Sequence, residues 1–312
     1  RGGPSAEYEI SLSTGQNILK HLPQNKYKTL DILLTKKGEW HANGMVASPD
    51  KIFRATDVIF NALHGEFGED GKVQRLFEMY GVPYTGSTSW PSFLAMNKIM
   101  ARESFKNAGL KIAEATTVKQ DDNLDKAVFG IIRKMAPPWA VKPVSRGSSV
   151  GVSIAKNAEE LPDSLKKSFQ YDKTALVEKY IKGREATCAV LENFRGEKLY
   201  AFPAMEIVPP GTGRFFDYQA KYSGAAQEIC PGRFSVKQKQ EIQEMARKAH
   251  QILGCRHYSR SDFIVSRDGV YILETNTLPG LTSESLFPKA AGSVGLEFPQ
   301  LLEHLIQLAY RG

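Results

Sequence analysis

Residues 259–285 read SRSDFIVSRDGVYILETNTLPGLTSES. Two β-rich runs flank Arg267-Asp268-Gly269, and a three-residue loop with glycine in the left-handed position predicts a hairpin closed by a G1 bulge. In that register Ser266 faces Val270, Asp262 lies opposite Glu274, and Arg260 lies opposite Asn276. The two-residue side-chain period then puts all four of these site candidates on one face. A two-residue Asp-Gly turn would shift the register by one and send the acids to opposite faces. Two carboxylates meeting across a ladder repel each other, so positive charge is expected between them. Two readings stay open at this point. The acids are the solvated end of an ordinary hairpin, or they form an all-oxygen site for Mg²⁺ that leaves positions for substrate phosphates.

Outside this stretch, 312 residues allow two or three domains, and 42% hydrophobic with 24% charged residues describe a globular chain. No apolar run approaches the roughly 20 residues of a membrane span, and no signal peptide opens the sequence. Cys188, Cys230 and Cys255 are odd in number and lack zinc-type spacing, which predicts free thiols in a cytoplasmic protein. The net charge of +7 suits nucleic acid or small anionic substrates. Without a dense Lys/Arg tract or aromatic-interleaved motif, a nucleic-acid partner is not expected.

The chain opens RGGPSAEYEISLSTG, a glycine turn followed by an acidic helix start, with no strand ahead of it. Runs 29–35 and 57–63 read as buried strands, followed by the Gly-rich turn HGEFGEDG and a helix over 72–80. Residues 89–108 predict one helix stopped by Gly109, with Lys98 on it, which by itself reads as a solvated side chain. Strand 139–142 leads into VKPVSRGSSVG. The small residues of 145–151 let backbone N–H groups approach an anion and Lys142 adds charge, although a flexible turn has the same pattern. A helix around 158–169 and strands 176–181, 185–190 and 198–208 follow. Residues 211–224 read either as a lid or as a surface excursion. Ser235 with Gln238 predicts a capping box for a scaffold helix ending at Leu253, and 298–310 a last amphipathic helix.

Taken in order, GGPSAE, HGEFGEDG, VKPVSRGSSVG, LVEKYI, DYQAKY, RSDF and ETNTLPGLTSES resemble the D-alanine–D-alanine ligases of the ATP-grasp superfamily, over essentially the whole chain. The resemblance implies an α/β and α+β fold: a Rossmann-like N-terminal domain over 1–87, its first strand missing, then two α+β domains over 88–181 and 182–312 that clasp ATP. It implies ATP-dependent ligation of two D-alanines through an acylphosphate, for peptidoglycan precursor synthesis, in a cytoplasmic homodimer. By resemblance, Lys98, Lys142, Ser149 and Lys221 meet the ATP phosphates, Glu178, Lys179, Tyr180 and Ile181 the adenine, and Glu185 the ribose. Asp262, Glu274 and Asn276 match the magnesium ligands, with Mn²⁺ as an alternative ion. Glu7 takes the ammonium of the first D-alanine, held by Ser148 and Tyr222, and His64 lies near that substrate's carboxylate. Arg260 and the backbone of Gly280 face the oxyanion, and Ser285 and Leu286 the second substrate.

Three departures bear on the first substrate and the lid. Tyr8 stands where the family commonly has arginine, Phe216 where it often has tyrosine, and the first strand is missing. The rival readings are a ligase with another acceptor (D-lactate, D-serine or an L-amino acid) and a nucleotide-binding protein without turnover.

Overall fold

The computed structural model describes residues 1–147, 150–209 and 226–311. Three sheets organise them. The first joins β1 (Ile32–Leu34), β2 (Trp40–Ala42) and β3 (Met45–Val46) as an antiparallel meander. The second runs β4-β7-β5-β6, with β4 Ala115–Lys119, β5 Trp139–Pro143, β6 Ser153–Ala155 and β7 Thr174–Lys179. The third runs β11-β10-β8-β12-β13, with β9 paired to β8. Its strands are β8 (Arg184–Phe194), β9 (Glu197–Ala201), β10 (Met205–Val208), β11 (Gln227–Ile229), β12 (Tyr258–Ser266) and β13 (Gly269–Asn276).

The large sheet is apolar on both faces along part of its length, which is why helices cover both. On β8, Ala186, Cys188 and Val190 join Ile242, Met245, Ala246 and Ala249 of helix Val236–Ile252 in one cluster. The alternate residues Ala189 and Leu191 pack with Phe287 and with Leu301, Leu302 and Leu305 of helix Phe298–Arg311. Glu185 and Thr187 share the parity of Ala189, so this second face turns polar at the end of β8. The expected capping box is present: Gln238 N–H donates to Ser235 Oγ at 3.3 Å and Ser235 N–H to Gln238 Oε1 at 3.0 Å.

Several expectations are corrected. The single helix over 89–108 is two, Ser89–Met96 and Lys98–Asn107. Asn97 leaves helical geometry (ψ 101°), and its Oδ1 accepts from the N–H of Ile99 and Met100, capping the second helix. The strand over 198–208 is broken into β9 and β10 around Pro203, which has no N–H for a ladder. Run 57–63 forms only a parallel bridge, Ile59 with Tyr84, because the Asn61 N–H donates to the Thr85 hydroxyl rather than to a ladder carbonyl. At the amino end, Gly2 makes a parallel bridge with Leu34, so the pairing expected to be missing is present in reduced form.

The hairpin itself closes differently from the sequence reading. Ser266 pairs with Gly269 across a two-residue loop, not with Val270, and a bulge at Leu273 restores the expected register beyond it. Asp262 then lies opposite Glu274 and Arg260 opposite Asn276. The reason is the core. A three-residue loop would have turned Tyr271 and Leu273 inward, whereas the observed pairing buries the β-branched Val270 and Ile272 to 0% and 1% exposure. Tyr271 instead lies under Lys111, whose Nζ is 4.5 Å from the ring centroid.

Candidate active site

The polar ends of β8, β12 and β13 form one wall of a cavity of about 810 Å³. Asp262 accepts from Thr187 Oγ1 at 2.6 Å and from Arg260 Nε at 3.0 Å. Glu274 pairs with Lys98 at 3.1 Å, and Lys98 also donates to the Arg146 carbonyl at 2.8 Å. The positive charge expected between the acids is therefore supplied by Arg260 and Lys98. The break at Asn97 puts Lys98 on the first turn of its helix, facing the cavity rather than solvent. Asn276 is held in the opening by Leu278 N–H, which donates to its Oδ1 at 2.8 Å. Among the described residues, no cluster of three or more His, Cys, Asp and Glu could hold a metal ion, since this set has two acids and one amide.

Lys142 lies on the fully buried strand β5 and pairs with Glu178 on β7, which also binds Arg102. Glu178 is only 3% exposed. Burial alone would raise its carboxyl, but Lys142 and Arg102 outweigh that and hold it below the usual carboxylate range. Glu185 lines the cavity, whereas Glu178, Lys179, Tyr180 and Ile181 stand off its wall, at the end of β7. The described end of the 145–151 loop, Arg146 and Gly147, reaches the cavity. Ser148, Ser149, Lys221 and Tyr222 fall outside the described residues, as does Phe216.

Glu7 and His64 close the far end. Glu7 sits immediately before helix Tyr8–His21, and Gly65 (φ 68°) makes space for it: a Cβ there would come within 2.7 Å of Glu7 Oε2. His64 is bound through both ring nitrogens, Nε2 to Thr14 Oγ1 at 2.9 Å and Nδ1 to Glu69 Oε1 at 3.2 Å. Glu69 is a residue the sequence reading missed. Burial, with the nearby charge of Glu7, raises its carboxyl above the usual range despite the bond to His64. It lies in the quoted HGEFGEDG turn, and its distance of five residues from His64 in a glycine-rich segment carries no periodicity. Thr187 and Arg102 were missed as well. Thr187 had a usable signal, a polar residue in phase with Glu185 on a predicted strand.

Gly280, Ser285 and Leu286 also line the cavity. The Ser285 hydroxyl accepts from Thr282 N–H at 3.0 Å, and a Cβ on Gly280 would come within 2.8 Å of that oxygen. Lys289 bridges Glu228 at 2.9 Å and Glu284 at 3.0 Å at the same end.

Residues 104–307 match the family described as D-ala D-ala ligase C-terminus, and residues 44–87 the D-ala D-ala ligase N-terminus. A D-alanine--D-alanine ligase of Syntrophobacter fumaroxidans is 42% identical over 309 residues, covering 99% of this chain and 95% of its own length. The chain belongs to the D-alanine–D-alanine ligase family. Its fold is the ATP-grasp fold of that family. Solved relatives include the VanG D-Ala:D-Ser ligase from Enterococcus faecalis (TM-score 0.85, 30% identity, 99% of this chain and 97% of that one). Another is the D-alanine-D-alanine ligase from Coxiella burnetii (TM-score 0.84, 28% identity, 99% and 92%). No helix among the described residues is long and apolar enough to cross a membrane.

Proposed function

We propose that this chain joins two D-alanines with consumption of ATP, releasing ADP and phosphate, for peptidoglycan precursor synthesis. The observation that carries the reading is one cavity with three walls. The hairpin acids and Arg260 form the first, Lys98 and Lys142 the second, and Glu7 with His64 the third. The carboxylate of the first D-alanine attacks the γ-phosphorus, the bond to ADP breaks, and an acylphosphate forms. The amine of the second, once deprotonated, attacks the acyl carbon, and phosphate leaves as the tetrahedral oxyanion collapses.

Lys98 and Lys142 are compact charges suited to the ATP phosphates, with Ser149 and Lys221 assigned to the same task. Lys142 would share its charge between phosphate and Glu178, which with Lys179, Tyr180 and Ile181 is assigned to the adenine, and Glu185 to the ribose. Asp262, Glu274 and Asn276 fit a hard divalent cation, offering oxygen donors, two of them charged, from paired strands beside an open cavity. Mg²⁺, or Mn²⁺, bound there would screen phosphate charge. Glu7 receives the first ammonium, with Ser148 and Tyr222 holding it, and His64 faces that substrate's carboxylate. Arg260 and the Gly280 N–H stabilise the oxyanion. Ser285 and Leu286 seat the second D-alanine.

Three separate sheets support a division into 1–87, 88–181 and 182–312. A cytoplasmic homodimer is proposed with it. The deciding assay supplies ATP, Mg²⁺ and a panel of D- and L-amino acids and D-lactate, reading phosphate release and product mass together. D-alanyl-D-alanine as the main product is expected. The likeness to a D-Ala:D-Ser ligase makes D-serine the acceptor to compare first, and a product without D-alanine would overturn the reading.

A further inference from the structure

We infer that Arg256 is a positioning residue that sets the first-substrate end of the cavity in register with the hairpin. Arg256 lies just ahead of β12, four residues before Arg260. Its Nε donates to the Gly86 carbonyl at 3.0 Å, and one terminal nitrogen donates to the Tyr84 carbonyl, also at 3.0 Å. Its backbone N–H donates to Ser87 Oγ at 3.1 Å, and the guanidinium stacks 4.8 Å from the Tyr84 ring centroid. A planar fork aimed at two main-chain carbonyls fixes the path of the backbone itself, which a pair between mobile side chains does not.

The segment it grips leads straight to the first-substrate pocket. Ile59 donates its N–H to Pro83 O at 2.8 Å and accepts from Thr85 N–H at 2.9 Å, and Thr85 Oγ1 accepts from Asn61 N–H at 3.0 Å. Asn61 then organises the turn beyond it, its Oδ1 accepting from Leu63 N–H at 3.2 Å and its Nδ2 donating to Gly68 O at 3.4 Å. His64 and Glu69 hang on that turn. In the other direction, Arg256 continues through Tyr258 into Arg260 and Asp262. The neighbouring His257 strengthens the same grip. It is 2% exposed with a left-handed backbone (φ 67°), a costly conformation for a non-glycine residue, and its Nδ1 accepts from Gly86 N–H at 3.1 Å. Residues 84–87 are thus held from both peptide edges by two consecutive residues just ahead of the strand that carries the oxyanion arginine.

The inference rests on the reading of Glu7 and His64 as the first D-alanine site, so its test has one arm that needs no substrate. Arg256→Ala and Arg256→Lys are compared in the full chain, lysine keeping the charge but not the fork. Hydrogen exchange should quicken at the amides of Gly86 and of residues 59–64 in both variants and stay unchanged over 260–276. With two charge-assisted hydrogen bonds lost, the KM for the first D-alanine should rise about tenfold or more, while Mg-ATP affinity holds. Exchange that quickens uniformly in all three sheets, or ATP affinity that falls in step with that for D-alanine, would make Arg256 a general structural residue and overturn the inference. So would an unchanged exchange pattern. If wild-type chain proves to use a different first substrate, the exchange arm still decides the latch.

Discussion

Glu274 and Lys98 stand 3.1 Å apart, a pair that a bound divalent cation must displace or share. Glu274→Gln keeps the size and removes the charge, so phosphate release should fall about a hundredfold or more while the fold persists. Near-normal turnover with the same Mg²⁺ requirement would refute the metal assignment. Glu69 gives a prediction with two signs. Its raised carboxyl means that ionisation costs the folded state more than the unfolded one, a cost that grows as pH rises above the usual carboxylate value near 4.5. Glu69→Gln should therefore raise Tm at pH 7 to 8 and converge with wild type in acid. It should also weaken first-substrate use, because a neutral amide replaces the carboxylate that orients His64 through its Nδ1. Thermal melts across pH, beside KM for D-alanine, separate the two effects, and a lowered Tm at pH 8 would contradict the first. The hairpin acids were legible in the sequence because chemically unusual residues recur there at the strand period. The partners of Glu178 and His64 were not, since Arg102 and Glu178 are 76 residues apart and Glu69 acts from a turn.

Among elements, the long helices and most strands were legible within a few residues, and the failures came from side chains that substitute for backbone. Asn97 caps a helix inside what reads as a continuous amphipathic run, and Thr85 takes the hydrogen bond that a strand partner would have taken. The hairpin register was right at its functional end for a different reason from the one inferred, since the bulge at Leu273 replaces the longer loop. That substitution has a measurable effect. Leu273, the extra residue of the bulge, lines the cavity beside Glu274. Deleting Leu273 closes a regular ladder that still pairs Asp262 with Glu274. Mg²⁺-dependent turnover should survive, while the KM for ATP rises about tenfold as the cavity loses the apolar side chain of Leu273. A folded deletion variant without any turnover would instead show that the bulge itself aims Glu274.

On the scale of the whole molecule, all three sheet regions contribute to a single cavity, and their contacts over long sequence distances were not legible. One such tie is Asn17 Nδ2, which donates to Leu281 O at 2.7 Å across 264 residues. The junction at His257 is another. Burial and the neighbouring Arg256 charge, together with His250 and His304, lower its pKa to about 3, against the opposing pull of Glu192. Its folded value lies below the ordinary 6.5, so the stability tied to its neutral form is fully present above pH 6.5 and drains away as pH falls towards 3. His257→Asn keeps an acceptor and tolerates the left-handed backbone, so its Tm should fall less steeply between pH 6.5 and 4 than that of wild type. Parallel slopes would exclude His257 as the group responsible. A protonated imidazole has no lone pair left for Gly86, so acid removes the hydrogen bond that joins the segment at Gly86 to the start of the strand carrying Arg260. In acid this contact should loosen first, the Gly86 amide losing its protection from exchange while the apolar core that Ile18, Leu22 and Ala62 share with Leu191 and Phe287 stays packed.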